Sequence, residues 1–198
     1  MAELDLRVDS LPRATLERAL HCVTTWSHLH NRWTGVRFRD VFARVIQDSV
    51  DTPGARAGLV FFGQDGYRTS LPLEDVLHED VLLATELNGA ALDTRHGAPV
   101  RLIAPAHYGY KNLKHLERIE YHSQLPRIKR GIRALLDHPR ARVALEERGR
   151  WVPGRVLRYL YRPFIARTAA TFEGALLRHT TQEAPDEERD GDRQPREP

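Results

Sequence analysis

The chain has 198 residues, 41% of them hydrophobic, with a formal net charge of +3 and a single cysteine. That apolar content suffices for one substantial core, while one cysteine excludes an internal disulfide and any metal site built from several thiolates. No run approaches the roughly 18 apolar residues of a membrane span, and the opening "MAELDLRVDS" lacks both a basic start and an apolar run, so a soluble, cytoplasmic protein is expected.

In chain order, "VRFRDVFARVI" (36–46) places Phe38, Val41, Phe42, Val45 and Ile46 at helical spacing, with arginines and Asp40 on the other face. "DTPGARAG" is a loop. "LVFFGQDGYRTSL" reads as two strands around a Gly-Gln-Asp-Gly turn, and "PLEDVL" as a short helix with Pro72 near its first position. "VLLATELNGAALD" is a strand running into Asn88-Gly89, the pair that best tolerates the positive φ of a tight hairpin. "APVRLIAP" and "LERIEYH" are further strands. Beyond them, "RIKRGIRALLDHPRARVALEERGR" and "VLRYLYRPFIARTAATFEGALLRH" read as arginine-rich helices broken at Pro139, Pro153 and Pro163. The last of these sets Leu157, Leu160, Tyr161, Phe164 and Ile165 against Arg155, Arg158 and Arg162. It suits packing on this domain or a second copy, or a peripheral contact with an anionic membrane surface or a redox partner.

Charge divides the chain in the same places. Residues 1–125 hold 14 Lys/Arg against 16 Asp/Glu, residues 126–178 hold 13 against 4, and residues 179–198 hold 3 against 7. The expectation is an α+β domain over 1–125, a basic helical extension over 126–178 and a disordered acidic tail over 179–198. The basic segment comes without a recognisable nucleic-acid module, so no nucleic-acid partner is expected.

Two groups of residues carry chemistry. Cys22, within "ALHCVTTW", reads as a small buried hydrophobe, as a metal ligand, or as a nucleophile helped by His21, His28 or His30, although these spacings match no common zinc pattern. The second group is "HGAPVRLIAPAHYGYKNLKHL", where Arg101, His107, Lys111 and Lys114 fall among Gly97, Gly109, Pro99 and Pro105. Glycines let backbone approach a ligand, and cations bind phosphate-like groups, so this is either an anion-binding region or a solvated basic loop. Lys111 and Lys114 share a face if "KNLKHL" forms a helical turn.

Taken together, these stretches resemble the molybdopterin-binding domain of the sulfite oxidase family. "HCVTTWSHLHNRWTGV" is similar to the family's cysteine motif, and "DGYRTSLPLEDVL" to its Tyr-x-x-Ser-Leu/Ile-Pro segment. "LLATELNGAALDTRHGAPVRLIAP" is similar to its Asn-Gly…His-Gly-x-Pro-x-Arg-Leu signature, and "YGYKNLKHLERIE" to its Tyr-Gly-x-Lys-x-x-Lys run, with His115 where tryptophan is frequent. The resemblance runs in order from about Leu11 to Tyr121, over a domain shortened at its N-terminal side relative to the family.

The resemblance implies that Cys22 is the one protein ligand to molybdenum, whose other sulfurs come from a single molybdopterin; a soft thiolate suits such a metal. It implies that Arg101, His107, Lys111 and Lys114 surround the pterin and its phosphate, with backbone near His96 and Gly109 closing the pocket. Tyr67 falls where the family's tyrosine faces the metal-bound oxygen, its alternative being a strand residue beside Phe61 and Phe62. Trp26 and Trp33 are pocket walls or core. Sulfite oxidases carry an arginine a few residues past the cysteine, where this chain has Ser27, which points away from sulfite and toward the heme-free bacterial branch. The activity implied is oxygen-atom transfer on a small S-oxide or N-oxide, with a separate redox partner protein. An inactive binding protein of the same fold and a cysteine-dependent hydrolase are the alternatives.

Overall fold

Four strands precede the first helix: β1 (Arg13–Glu17), β2 (Leu20–His21), β3 (Ser27–His28) and β4 (Arg32–Arg37). They belong to a computed structural model that describes residues 11–50, 54–128, 137–151, 153–161 and 163. β1 runs antiparallel to β4, with the hydroxyls of Thr15 and Thr34 at 2.9 Å, and β2 and β3 form a two-stranded hairpin. None of these strands is announced by sequence patterning, because β2 and β3 are two residues long and β4 carries a glycine in its middle.

The next segment is helical as expected but starts at Phe38, since Val36 and Arg37 are held in β4 opposite Leu83 and Leu82. α1 (Phe38–Val41) continues through a π turn at Phe42–Ile46 and a 3-10 turn at Gln47–Ser49. Then come β5 (Gly58–Gly63), β6 (Arg68–Pro72), α2 (Leu73–Val76), β7 (Leu82–Leu87), β8 (Ala90–Ala91), β9 (Arg101–Ile103) and β10 (Leu116–His122), each where its pattern places it. Asn88 and Gly89 take φ of 55° and 87° between β7 and β8, the left-handed geometry for which that pair is suited.

The strands form a five-stranded sheet in the order β1-β4-β7-β8, with β9 also paired to β7, and a three-stranded sheet β10-β5-β6. Alternation along β7 sends Leu83 to one face and Leu82 and Ala84 to the other. Leu83 joins Val36 and Leu102 against Leu59, Phe61 and Leu71 of the smaller sheet, with Phe38, Val41 and Val76 completing the main core. Phe38 meets Phe61 edge to face at 5.6 Å. On the opposite face Leu82, Ala84, Leu92 and Ile103 surround Trp33 in a smaller cluster that seats the candidate site.

The C-terminal part departs from the helical reading. Residues 129–136 lie outside the described residues, and residues 137–151 are turns and irregular backbone rather than helix. Some of their backbone bonds close short turns, as from Glu146 N–H to Val143 O and from Glu147 N–H to Arg142 O, and others go to a distant segment: Tyr108 N–H donates to Ala141 O, Val143 N–H donates to Ala106 O, and a β-bridge joins His107 to Arg142. One helix follows, α3 (Gly154–Tyr161), which buries Leu157 but leaves Val156, Tyr159 and Leu160 exposed, so Leu157 and Leu160 do not share one packed side. The chain divides into two compact units, Met1–Arg162 and Pro163–Pro198. The rest of the expected second helix and the acidic tail fall outside the described residues. Within them the protein is mostly sheet with a few short helices, more so than an α+β reading implies.

Candidate active site

Cys22 sits in the turn of the β2–β3 hairpin. Its N–H donates to Trp26 O at 2.8 Å, and its carbonyl accepts from Thr25 N–H at 3.1 Å. The thiol is half-buried, with Thr24 Oγ1 at 3.0 Å. The nearby histidines are engaged elsewhere: His21 Nδ1 with Ser27 Oγ at 2.8 Å, His28 Nδ1 with Asn31 Oδ1 at 2.6 Å, and His30 Nδ1 with Glu17 Oε1 at 3.2 Å. The cysteine–histidine pair of a thiol hydrolase is therefore not formed here among the described residues. Leu20 packs into the Trp33 cluster together with Ala98, and His21 O lies against Gly109, where an added Cβ would come to 3.5 Å. The hairpin thus rests on the same cluster as the 97–99 loop and meets the 109–111 turn.

Behind that loop is a cluster of cations. Arg101, 4% exposed, donates through Nη1 to His96 O at 2.7 Å and lies 4.9 Å above the Trp33 ring. Burial pushes its pKa down to about 10, so the guanidinium is still charged at neutral pH. Lys114 donates to Arg95 O, and its pKa is lowered by burial and then by the Arg101 charge. Gly97, at φ 102°, permits this arrangement: a Cβ there would lie 2.8 Å from Lys114 Cβ. His96 presents its backbone carbonyl to Arg101 and its exposed ring to Asp93, with Nδ1 2.7 Å from Oδ1. Trp33 Nε1 and Arg101 Nε are buried without an acceptor.

The 107–111 segment is built differently from its sequence reading. Residues Gly109–Lys111 form a 3-10 turn, and Asn112 then leaves helical space at φ −89°, ψ 88°. Lys111 and Lys114 consequently do not share a face. Lys111 is fully buried, donating to Ser70 O at 3.0 Å with Asp137 Oδ1 at 3.9 Å. Asn112, which composition does not single out, accepts from Ala104 N–H at 2.7 Å and donates to His107 O and Tyr108 O. Tyr67 is not itself a strand residue. It lies in the turn before β6, partly exposed, and its hydroxyl donates to Tyr110 O at 2.8 Å. His107 is buried and donates from Nδ1 to Arg140 O at 2.5 Å.

The structure therefore brings Arg101, His96 and Lys114 together, and Tyr67, Gly109, Lys111 and His107 together, with the Cys22 hairpin meeting the second group at Gly109 and sharing the Trp33 cluster with Arg101 of the first. Sequence reading missed Asp75, Arg140 and Arg148, whose arginines look like the solvated face of a helix; the break at Pro139 was the available signal. Asp75 is buried and takes a two-point contact from Arg140, with Nε to Oδ2 at 2.9 Å. Asp75→Asn is expected to cost about 2 kcal/mol, measured by urea denaturation, since one partner of a largely buried ion pair would remain.

Acid should loosen this region before most carboxylates titrate. Burial lowers the pKa of both His107 and His138. The unfolded chain, with histidines near pH 6.5, then binds more protons than the folded one, so stability falls as pH drops below about 6.5. Thermal melts between about pH 7.5 and 5.5 should show the decline, and His107→Gln should flatten it.

A half-buried soft thiol, together with a separate cluster of charged guanidinium and ammonium groups that holds two buried donors lacking acceptors, fits an anionic oxygen-rich cofactor that carries a soft metal. These features describe a sheet-rich cofactor domain. The model of the family described as "oxidoreductase molybdopterin binding domain" matches residues 2–127, and the chain belongs to that family. Molybdopterin is the cofactor that family's description names.

An uncharacterized oxidoreductase of Bacillus subtilis, YuiH, is 36% identical over 114 residues, 58% of this chain and 55% of its own length. The protein-methionine-sulfoxide reductase catalytic subunit MsrP of Xanthomonas campestris is 32% identical over 120 residues, 54% of this chain and 36% of its own. The crystal structure of the sulfane dehydrogenase SoxCD from Paracoccus pantotrophus aligns with a TM-score of 0.50 at 23% identity, covering 59% of this chain and 33% of that one, and supports the fold. The chain thus spans between about a third and just over half of the length of these proteins.

Proposed function

We propose that this chain holds a molybdenum–molybdopterin cofactor and acts in oxygen-atom transfer on a small oxo substrate, an S-oxide or N-oxide in preference to sulfite. The observation that carries the reading is the half-buried Cys22 thiol on a hairpin that packs through Leu20 on the Trp33 cluster, over which Arg101 lies, and through His21 against the Gly109 turn. Four relatives bear the name protein-methionine-sulfoxide reductase catalytic subunit, which favours an S-oxide. Ser27 is exposed and bonded to His21, so this position of the hairpin offers no cation for a sulfite dianion.

In this reading the Cys22 thiolate is the protein ligand to molybdenum. Arg101 and Lys114 hold the pterin and its phosphate by charge, Gly109 admits it closely, and the His96 carbonyl orients Arg101. Tyr67 stands at the substrate side, and its bond to Tyr110 O sets its angle. Lys111 and His107 act one layer back, fixing the backbone that the cofactor touches. The bound cofactor supplies the two-electron oxygen-atom chemistry. In the same reading the electrons are supplied by a separate redox protein.

The test is metal analysis and activity after expression in a host that makes the cofactor. About one molybdenum per chain is expected, as a single-thiolate site implies, with viologen-driven reduction of a methyl sulfoxide exceeding sulfite oxidation. Folded protein from such a host holding no molybdenum would leave the inactive binding protein as the reading.

A further inference from the structure

Val23, next to Cys22, accepts a hydrogen bond from a distant part of the chain: Arg148 Nη1 donates to Val23 O at 2.5 Å across 125 positions. Arg148 is 8% exposed, and its guanidinium lies 4.9 Å over the ring of Tyr108, between His107 and Gly109. Residues 137–148 carry it there. Tyr108 N–H and Val143 N–H bond this segment to the 106–108 backbone at 2.9 Å each. Arg142 closes the segment on itself through Glu147, with Nη2 to Oε1 at 2.6 Å. Residues 137–148 lie beyond the family match at 2–127.

The Cys22 turn needs such a hold. Thr25 takes φ 80°, a region that a β-branched residue adopts only under constraint. Two backbone bonds, from Cys22 N–H and Thr25 N–H, close the turn from within. A buried guanidinium adds a charge-assisted bond to the carbonyl between them and braces it on an aromatic face, a combination that lysine cannot reproduce.

We propose that Arg148 is a positioning residue that clamps the Cys22 turn against Tyr108, so that residues 137–148 complete a site the family match alone does not contain. Its functional meaning rests on the reading of Cys22 as metal ligand, but the clamp is testable without cofactor. In the full-length cofactor-free chain, Arg148→Met keeps the apolar stem and removes the donor. It should raise the rate of Cys22 alkylation by iodoacetamide at fixed pH about tenfold, the scale of one lost charged hydrogen bond, and speed amide exchange within residues 20–28. Arg148→Lys should fall between Met and wild type, and Arg118→Ala, remote from the turn, should match wild type. Equal alkylation rates in wild type and Arg148→Met would overturn the clamp, as would faster exchange spread evenly through the five-stranded sheet. Neither result bears on molybdenum content, so failure of the clamp and failure of the cofactor reading are separable.

Discussion

Cys22→Ser is expected to remove molybdenum from the purified protein and to lower turnover more than about 100-fold, beyond what loss of an outer-shell group does to a metal site. The physical basis is donor softness. A serine hydroxyl is a hard ligand that stays protonated near neutral pH, whereas a thiolate donates strongly to a soft metal. The hairpin should survive the change. Serine can keep the bond to Thr24 Oγ1, and the turn is closed by the backbone bonds of Cys22 and Thr25 and by Arg148, none of which needs sulfur. Melting temperature within about 2 °C of wild type, together with loss of metal, separates a ligand role from a structural one. Unchanged molybdenum content in Cys22→Ser would sink the assignment.

Gly35→Ala should be the most damaging single methyl in the sheet. A Cβ at position 35 would stand 2.0 Å from Leu83 O and 2.6 Å from Ala84 Cα. Both are backbone atoms of β7, paired with β4 on one side and with β9 on the other, so neither can retreat without breaking a ladder. The register already shifts between Thr34 and Gly35. A loss of about 4 kcal/mol is expected, enough to lower the melting temperature by about 10 °C in a chain of this size. Thermal denaturation of the cofactor-free protein measures it directly. A near-neutral effect would mean that β4 and β7 approach less closely than this geometry requires. Gly35, in the Trp33-Thr34-Gly35-Val36 stretch, is thus explained by strand approach, with no ligand invoked.

The parts of the fold readable from residues were those with local signals. Asn88-Gly89, Pro72 and the apolar runs of β5, β7 and β10 each carry their own geometry, and all appear where patterning puts them. β2 and β3 carried no such signal, because a two-residue strand exists only through its partner. The arginine-rich stretch after residue 126 was misread for a related reason. Its many arginines suggested a solvated helix, but Asp75, Glu147 and Val23 O lie close in space to Arg140, Arg142 and Arg148 and accept their hydrogen bonds.

Residue chemistry by itself established the lone thiol, the cations downstream of it and the motif order that places the chain in its family. Packing alone decided how they are used: that Lys111 points inward to Ser70 O while Lys114 stays at the Arg95 turn, that His107 is buried against Arg140 O, and that Arg148 reaches the Cys22 loop. The reason is that a charge's role depends on which acceptors and how much solvent surround it. Those neighbours are set by contacts between segments tens of residues apart, which no local window contains.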